Sequence, residues 1–336
     1  MDELLTVTDL EVGFRTDRGL ARVLDRVNFH VGRGEIVGLV GESGCGKTTL
    51  ARAILGVLPA NSAHISSGVI DFGGRNLLAE SSWDLATEVR GRQITFVPQD
   101  PFSSFNPVFT IGAQIEELMK WKSPDAEPTT ASRFYPRARR RADRARVLDL
   151  LRTVQLPDPE GILKKYPHEV SGGQRQRLMI AMALLPEPRL IIADEPTTAL
   201  DVTIQAQILK LLKRLASERR VSVLFTTHDL GTAYEICDRV TVMYAGQEVE
   251  SALSDDFFAA PRHPYTKRLL ESLPSRERGI GGIPGQIPAL IDPPTGCRFH
   301  PRCDRTGTRC AAVRPDVSEV GPAHLIRCHH PVEAVP

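Results

Sequence analysis

The sequence predicts an α/β fold: a mixed or parallel sheet with an antiparallel β subdomain, an inserted helical subdomain and a loop-rich, cysteine-containing C-terminal extension. Three patterns support it. The near-continuous apolar run EIVGLV at residues 35–40 leads through glycines into a helical stretch at 47–55, as a strand buried on both faces would. The apolar runs RLIIA and VSVLF flank an amphipathic stretch at 202–219, which is the spacing of a βαβ unit. LLTVTDLEV and VLDRVNFHV alternate apolar and polar residues, as half-exposed antiparallel strands do.

The inserted helical subdomain is predicted from a helical pattern at residues 111–155. A loop at 123–136, rich in Pro, Thr and Ser, interrupts that pattern. Because these helices lie between the buried-strand runs, they interrupt the α/β core. We expect one α/β domain over residues 1–255, with its helical subdomain at about 100–185.

The C-terminal extension is predicted at residues 256–336, because the periodicity fades beyond Val249. A short helix candidate at 263–273 is followed by an irregular stretch at 279–336 that contains GIGGIPGQIP and IDPP. Such a stretch has too little apolar pattern to build a hydrophobic core of its own.

Composition excludes several classes of protein. The 336 residues give room for about two structural units. The 42 Lys and Arg against 41 Asp and Glu leave a net charge of +1, which argues against a partner held by bulk charge. The basic stretch at 137–146 lacks interleaved aromatics, so we interpret it as a solvated helix face and expect no nucleic-acid partner. The longest apolar run, 178–185, is too short to cross a bilayer and the start MDELL is not a signal peptide, so we expect a cytoplasmic chain.

The run GESGCGKT at residues 41–48 fits the phosphate-binding loop pattern and directly follows a predicted buried strand. Small residues let backbone N–H groups and a helix N-terminus converge on the phosphates of ATP, while Lys47 bridges the terminal phosphates and Thr48 ligates Mg2+. Cys45 occupies a free position and is interpreted as a small filler. The expected nucleotide-binding residues in this segment are Gly41, Ser43, Gly44, Cys45, Gly46, Lys47, Thr48 and Thr49.

Two adjacent acids end the predicted strand LIIAD. Asp194 is placed to hold Mg2+ through water, and Glu195 lies where a water could attack the γ-phosphate. Adjacent acids at a strand end also commonly begin loops. The phosphate-binding loop in the same chain favours the catalytic interpretation.

The turn Ser171-Gly172-Gly173-Gln174 resembles the signature motif of ATP-binding cassette (ABC) proteins, with Val170 in place of the usual Leu. The resemblance covers about the first 260 residues and predicts a P-loop ABC ATPase core. Three other positions resemble the Q-loop glutamine, the switch histidine and the adenine-stacking aromatic of that family, and one segment resembles its D-loop. These are Gln99, His228, Phe14 and Ala199-Leu200-Asp201. Taken singly, a lone Gln or His is more often structural, and Phe14 in an alternating strand could be core.

The resemblance implies a dimeric mechanism in which ATP lies between the phosphate-binding loop of one subunit and the signature motif of the other. Ser171 and the backbone of Gly173 would add donors to the γ-phosphate, Glu195 would orient and deprotonate the water, and His228 would contact the γ-phosphate. It also implies an active hydrolase in which Gln99 takes part in catalysis. Around the nucleotide and its Mg2+ it places Phe14, Gly172, Gln174 and Asp201, with Thr48, Gln99 and Asp194 as the metal ligands.

Three further segments resemble the ATPase subunits of bacterial dipeptide and oligopeptide importers. They are SSFNP at 103–107, HPYTKRLLESLP at 263–274 and IPGQIPALIDPPTGCRFHPRC at 283–303. The sequence TTALD at 197–201 is closer to that of the D-type subunit than to that of its F-type partner. Whether sugars, opines or glutathione replace peptides stays open.

That resemblance implies partners and a location. A second, related F-type ATPase would pair with this chain beneath two membrane permeases, which an extracytoplasmic peptide-binding protein feeds. The chain would then be peripheral, at the cytoplasmic face of the cell membrane. The Phe-rich segment 102–109 would lie near the groove that grips the permease's coupling helix; alternatively it is a surface loop with one core aromatic.

Four of the six cysteines, Cys297, Cys303, Cys310 and Cys328, fall in the last 40 residues, where even usage would place about 0.7. Their gaps of five, six and seventeen residues differ from the short pairs of zinc fingers. The importer resemblance implies that they bind a 4Fe-4S cluster, and thiolate donors suit it. A structural zinc site with His300 or His324 is the second interpretation, and four unliganded thiols the third. Cys45 and Cys237 are interpreted as incidental.

Two other functions stay open on the sequence alone. A soluble ABC ATPase acting on ribosomes or nucleic acid would also accommodate an iron–sulfur region, although such proteins generally carry two cassettes or a long coiled coil. A regulatory module that senses ATP without turnover is disfavoured by the intact Glu195 and His228.

Overall fold

The computed structural model describes residues 2–101, 103–127, 135–198, 200–273 and 282–333. The strands are β1 (Glu3–Thr16), β2 (Gly19–Gly32), β3 (Ile36–Val40), β4 (Ala63–Phe72), β5 (Arg75–Asn76), β6 (Ile94–Val97), β7 (Leu190–Asp194), β8 (Ser222–Thr227), β9 (Arg239–Tyr244), β10 (Gln247–Leu253), β11 (Ser318–Gly321) and β12 (His324–Ile326). The helices are α1 (Lys47–Ile54), α2 (Ser82–Asp84), α3 (Ile111–Lys122), α4 (Arg137–Thr153), α5 (Pro159–Lys164), α6 (Gly172–Leu184), α7 (Val202–Arg219), α8 (Leu230–Ile236), α9 (Ser254–Ala259), α10 (Pro264–Glu271) and α11 (Thr308–Ala312).

The chain divides into two compact units, and each is described by itself. Unit 1 takes residues 1–79 and 225–336, and unit 2 takes residues 80–224. Among the described residues of both units, no helix is long and apolar enough to cross a membrane. The domain boundaries expected from the sequence, at 255/256 and about 100–185, stay predictions.

Unit 1 contains the predicted antiparallel β subdomain, a four-stranded sheet in the order β2-β1-β4-β5. Leu5 of β1 is opposite Val31 of β2 and Phe72 of β4. Alternate positions of β1, including Leu5 and Val7, are buried, because successive side chains of a strand point to opposite faces. The prediction from the alternating pattern is confirmed.

The second sheet of unit 1 is mixed and has the strand order β11-β12-β10-β9-β3. β3 pairs with β9 in parallel, whereas β9, β10, β12 and β11 pair antiparallel in turn. Every residue of β3 and β9 is buried, as the near-continuous apolar run EIVGLV predicted for β3. The mixed sheet expected from the sequence is therefore confirmed.

The C-terminal region contributes two strands that the irregular pattern at 279–336 did not predict. β12 joins the sheet at Glu250 and Ser251, which pair with Ile326 and Leu325. Strands of three and four residues leave almost no periodic signal. They obtain their core from β10 and not from neighbours in sequence, which is why a segment without a core of its own is ordered here.

Unit 2 carries the predicted helical insertion. β6 and β7 pair in parallel, and the helices α3, α4, α5 and α6 lie between them in sequence. The predicted helix at 202–219 is α7, and its N-cap Asp201 accepts a hydrogen bond from the N–H of Ile204 at 3.0 Å. An N-cap acid satisfies an otherwise unpaired donor of the first turn, which stabilises the start of the helix at Val202, where the amphipathic pattern placed it.

The start of α10 depends on a fully buried histidine. Nδ1 of His263 accepts the N–H of Tyr265 at 3.0 Å, and the N–H of His263 donates to Glu250 at 2.9 Å. Burial lowers the pKa of His263 to about 4. The neutral imidazole is therefore the form that caps the helix.

This burial predicts acid-sensitive stability. An unfolded histidine titrates near about 6.5, so between that pH and about 4 the unfolded state binds a proton that the native state does not. The stabilisation is complete above the unfolded pKa and is lost as pH falls. We expect the free energy of unfolding to drop by about 2 kcal/mol more between about pH 7 and 4.5 in the native protein than in His263→Asn, whose amide does not titrate. Urea unfolding of both proteins at each pH measures it, and equal pH dependence would contradict the assignment.

Candidate nucleotide site

The phosphate-binding loop lies in unit 1 between β3 and α1, and two of its glycines are required by space as well as by backbone angle. Gly41 has φ 148° and Gly46 has φ 112°. A Cβ on Gly41 would lie 2.2 Å from the carbonyl oxygen of Met243, and one on Gly46 would lie 2.8 Å from Cδ2 of Leu24. Only glycine fits both positions. The loop is thus held tightly against the end of β9.

Lys47 is buried at the end of this loop. Its Nζ donates to the carbonyl oxygens of Gly41, at 2.7 Å, and Glu42, at 3.3 Å, and lies 3.7 Å from Sγ of Cys45. A buried ammonium held by neutral carbonyls keeps an uncompensated positive charge that suits an anion. Burial raises the pKa of Cys45, so a neutral thiol fills this position, in agreement with its interpretation as a filler.

The remaining loop residues leave the phosphate side open. Ser43, Gly44 and Thr48 are exposed and Thr49 is half-buried. Successive N–H groups at the start of α1 are the donors that an anion requires. This segment can therefore bind a phosphate through its backbone.

Unit 2 brings together two of the predicted catalytic residues. Nε2 of Gln99 donates to Oε2 of Glu195 at 2.9 Å, and Oγ1 of Thr198 donates to the same oxygen at 3.2 Å. Glu195 has φ 46°, a left-handed conformation that is strained for a residue with a side chain. Asp194 is buried at the end of β7. Sequence reasoning missed Thr198, since a threonine near a strand end carries no distinctive pattern.

The signature turn forms the capped start of α6. Oγ of Ser171 accepts the N–H of Gln174 at 3.3 Å, while Oε1 of Gln174 accepts the N–H of Ser171 at 3.0 Å. This reciprocal capping box fixes the first turn, to which Gly172 and Gly173 belong. A Cβ on Gly173 would lie 3.0 Å from Cγ2 of Ile204 in α7, so the glycine permits close packing of the two helices.

The other candidates occupy separate places. His228 is exposed and follows β8 in unit 1. Phe14, in β1, is half-buried and pairs with Ala21. Asp201 is the exposed N-cap of α7 in unit 2. Ala199, the first residue of the predicted D-loop, lies outside the described residues.

The four C-terminal cysteines line one small cavity in unit 1. Burial, reinforced by the neighbouring sulfurs, raises the pKa of Cys297 to about 11 and that of Cys328 to about 12. The N–H of Gly307 donates to Sγ of Cys310 at 3.5 Å, and the N–H of His330 donates to Sγ of Cys328 at 3.4 Å. Amide donors of this kind stabilise the thiolate form that a metal requires.

The histidines near this cavity differ from those expected. His300 lines it, but Nδ1 of His300 bonds the carbonyl oxygen of Cys297 at 2.8 Å. His324 does not line the cavity, and its Nε2 lies 2.6 Å from Oε1 of Glu250 instead. His263, His329 and His330 line the cavity and were not predicted.

The donor set agrees with a thiolate metal centre in residue type and number. The positions of these side chains do not agree with such a centre. Over the described ranges, which include all four cysteines, no three His, Cys, Asp or Glu side chains are placed so as to hold a metal ion.

The glycine loop, the capped signature turn and the acids that end β7 define the class of ATP-binding cassette proteins. The fold is similar to a dimeric ATP-binding cassette in a post-hydrolysis state bound to ADP and Pi, with TM-score 0.61, 26% identity, and 74% of this chain and 98% of that chain covered. It is also similar to cbiO1 from Clostridium perfringens, part of an ABC transporter complex, with TM-score 0.62, 26% identity, and 77% and 92% covered.

Residues 24–198 match the ABC transporter family, and residues 249–310 match the oligopeptide/dipeptide transporter C-terminal region. A probable peptide ABC transporter ATP-binding protein of Sinorhizobium fredii is 47% identical over 99% of this chain and 97% of its own length. The dipeptide transport ATP-binding protein DppD of Bacillus subtilis is 41% identical over 98% and 95%. The chain belongs to the ATP-binding subunits of peptide ABC transporters, which are ATPases coupled to transport. These relatives confirm the D-type resemblance and give no support to a role on ribosomes or nucleic acid.

Proposed function

We propose that this chain is the ATP-hydrolysing subunit that energises import of dipeptides or oligopeptides through a membrane ABC transporter complex. The observation that carries the proposal is that an ABC cassette, at 24–198, and the oligopeptide/dipeptide transporter C-terminal region, at 249–310, lie on one chain. The Escherichia coli dipeptide transport ATP-binding protein DppD, 40% identical over 98% of this chain, supports the same substrate class.

In this proposal the phosphate-binding loop holds the triphosphate of ATP. Backbone N–H groups of residues 41–46 and the start of α1 bind the phosphates, and Lys47 exchanges its two carbonyl partners for phosphate oxygens. Thr48, Gln99 and Asp194 complete the Mg2+ site, and Phe14 stacks on adenine.

Hydrolysis is assigned to Glu195, Gln99 and His228. Gln99 and Thr198 both donate to Oε2 of Glu195, which fixes the orientation of a carboxylate that could accept a proton from water. Glu195 thus orients and deprotonates the water, and His228 contacts the γ-phosphate as bond order shifts.

The signature turn serves the nucleotide of a second subunit. Its rigid capping box holds the N–H groups of Gly172 and Gly173 at a helix N-terminus, which favours an anion. Ser171, Gly173, Gln174 and Asp201 then act across the dimer. The similarity to a dimeric cassette bound to ADP and Pi supports this arrangement.

The catalytic assignment predicts a separation of binding from turnover. Glu195→Gln keeps the size and one hydrogen-bonding oxygen but cannot accept the proton, so we expect ATP affinity within about twofold and kcat lowered at least about 100-fold. Filter binding and phosphate release measure the two quantities. Glu187→Gln, which removes an exposed acid that pairs with Arg146, is the matched control. Unchanged turnover in Glu195→Gln would remove Glu195 from the role.

The proposed partners are a second ABC ATPase of F type, two membrane permeases and, indirectly, an extracytoplasmic peptide-binding protein. The chain would work as a peripheral subunit at the cytoplasmic face. The Phe-rich segment supports a permease contact, because Phe105 is buried while Val108 and Phe109 are 70% and 54% exposed. Adjacent apolar side chains that remain in water favour a protein partner. Phe102 of this segment lies outside the described residues.

A permease contact at Phe109 predicts a defect in assembly alone. When the chain is expressed with its two permeases and partner ATPase, we expect Phe109→Ala to reduce co-purification at least about fivefold while ATP binding by the purified chain stays unchanged. Trp83→Ala, which removes an aromatic side chain that is 63% exposed elsewhere, should assemble normally. Co-purification of Phe109→Ala at the level of the native chain would exclude this contact, and ribosomes or DNA in its place would contradict the import function.

We further propose that Cys297, Cys303, Cys310 and Cys328 hold a 4Fe-4S cluster. All four cysteines line one cavity and amide groups donate to two of the sulfurs, which supports the proposal; because no three potential ligands in the described residues are placed to hold a metal ion, binding would require these side chains to move. Since the pKa values of Cys297 and Cys328 are raised, loading would release protons. A bound cluster would supply a covalent staple across residues 297–328.

The cluster proposal predicts about four iron and four sulfide per chain after anaerobic purification, with a broad visible absorption. Cys310→Ser should lose both the iron and the absorption, whereas Cys237→Ala, at a buried thiol outside the cavity, should keep them. Stoichiometric zinc without iron would instead favour a structural zinc site with His300, and neither metal would leave four free thiols.

A further inference from the structure

Glu42, the second residue of the phosphate-binding loop, is held from behind by the C-terminal region. Nη1 of Arg302 donates to its Oε2 at 2.9 Å and Nη2 donates to its Oε1 at 3.2 Å. The N–H of Glu42 donates to Oη of Tyr265 at 3.1 Å. A two-pronged guanidinium–carboxylate pair fixes direction as well as distance. Both the side chain and the main chain of one loop residue are therefore anchored by residues more than 200 positions away in sequence.

The guanidinium of Arg302 is itself fixed on its other sides. The side chain is 3% exposed. Its Nε donates to the carbonyl oxygen of Pro284 at 2.9 Å, its Nη2 to that of Ile283 at 2.9 Å, and its Nη1 to Oη of Tyr244 at 3.3 Å. A guanidinium with donors used in this way has little freedom left to lose when it also binds a carboxylate. Arg302 therefore transmits the position of the C-terminal segment to the loop.

Tyr265 is anchored equally well. It is fully buried in the first turn of α10, which His263 caps. Its ring lies 4.6 Å from that of Tyr244 and 5.3 Å from that of Phe299, measured between centroids. This aromatic cluster joins the end of β9, the start of α10 and the segment that contains Cys297 and Cys303.

We infer that Arg302 is a positioning residue for ATP binding, which acts through Glu42 and, with Tyr265, holds the phosphate-binding loop in its binding shape. A loop held in that shape before ATP arrives avoids the entropy loss of ordering it. The inference rests on the proposed ATP site. By this inference, the C-terminal segment that ends at Arg302, the residue before Cys303, also helps to hold the ATP site in shape.

A double-mutant cycle tests this inference on the full chain. Dissociation constants for a fluorescent ATP analogue are measured for the native protein, Glu42→Ala, Arg302→Met and the double variant. Because both single changes break the same charge-assisted pair, we expect each to weaken binding about tenfold, and the double variant to bind no more weakly than the worse single variant. KM should rise, whereas kcat should stay within about twofold of the native value, since Arg302 does not touch the reacting atoms. A purely structural defect would instead lower the active fraction, and with it kcat.

The matched control is Arg268→Met. It removes the 3.0 Å ion pair with Asp304, beside the same cysteine segment but away from the loop, and should leave the dissociation constant within about twofold. If Arg302→Met fails to fold, Glu42→Ala decides alone, because it leaves the bonds of Arg302 to residues 283 and 284 intact. Native affinity in Glu42→Ala, or losses that multiply in the double variant, would overturn the inference. Absence of binding by the native chain would instead refute the proposed function.

Discussion

A short glycine loop can direct its amide groups at one anion only if the rest of the loop is fixed in position. Most of the contacts that fix it come from other elements of unit 1. β3 delivers the loop from a fully buried strand, and the carbonyl of Met243 in β9 leaves no room for a side chain at Gly41. Arg302 and Tyr265 close the remaining side through Glu42. The mixed sheet of unit 1, α10 and the segment that contains Cys297 and Cys303 therefore all help to hold the phosphate-binding loop in place.

Local signals predicted the parts of the fold that local physics decides. The apolar run before the glycines predicted β3, and the amphipathic pattern at 202–219 predicted α7. The pair between Glu42 and Arg302 could not be predicted in this way, since an ion pair across 260 positions leaves no pattern in either neighbourhood. The same holds for β11 and β12, whose core comes from β10.

The cysteine region marks a second limit of sequence reasoning. The importer resemblance implies that the four thiols bind one cluster; they line one cavity, but no three potential ligands in the described residues are placed to hold a metal ion. The choice of histidines was decided by partners that the sequence does not indicate: a buried carboxylate, Glu250, holds His324, while His329 and His330 reach the cavity as neighbours of Cys328. A histidine follows the nearest strong acceptor, and here the acceptor lies on β10.

The C-terminal segment solves the lack of its own core with buried arginines. Arg298, 2% exposed, pairs with Asp25 at 2.9 Å, and Arg302 pairs with Glu42. The free energy needed to remove such charges from water offsets much of the attraction between them, so these pairs are weak evidence for stability of the fold. What they provide is a fixed register: an apolar contact tolerates a small slide, whereas a guanidinium forked onto a carboxylate does not. A segment that must hold the phosphate-binding loop in one position requires that kind of contact, which explains why buried charge replaces an apolar interface at residues 298 and 302.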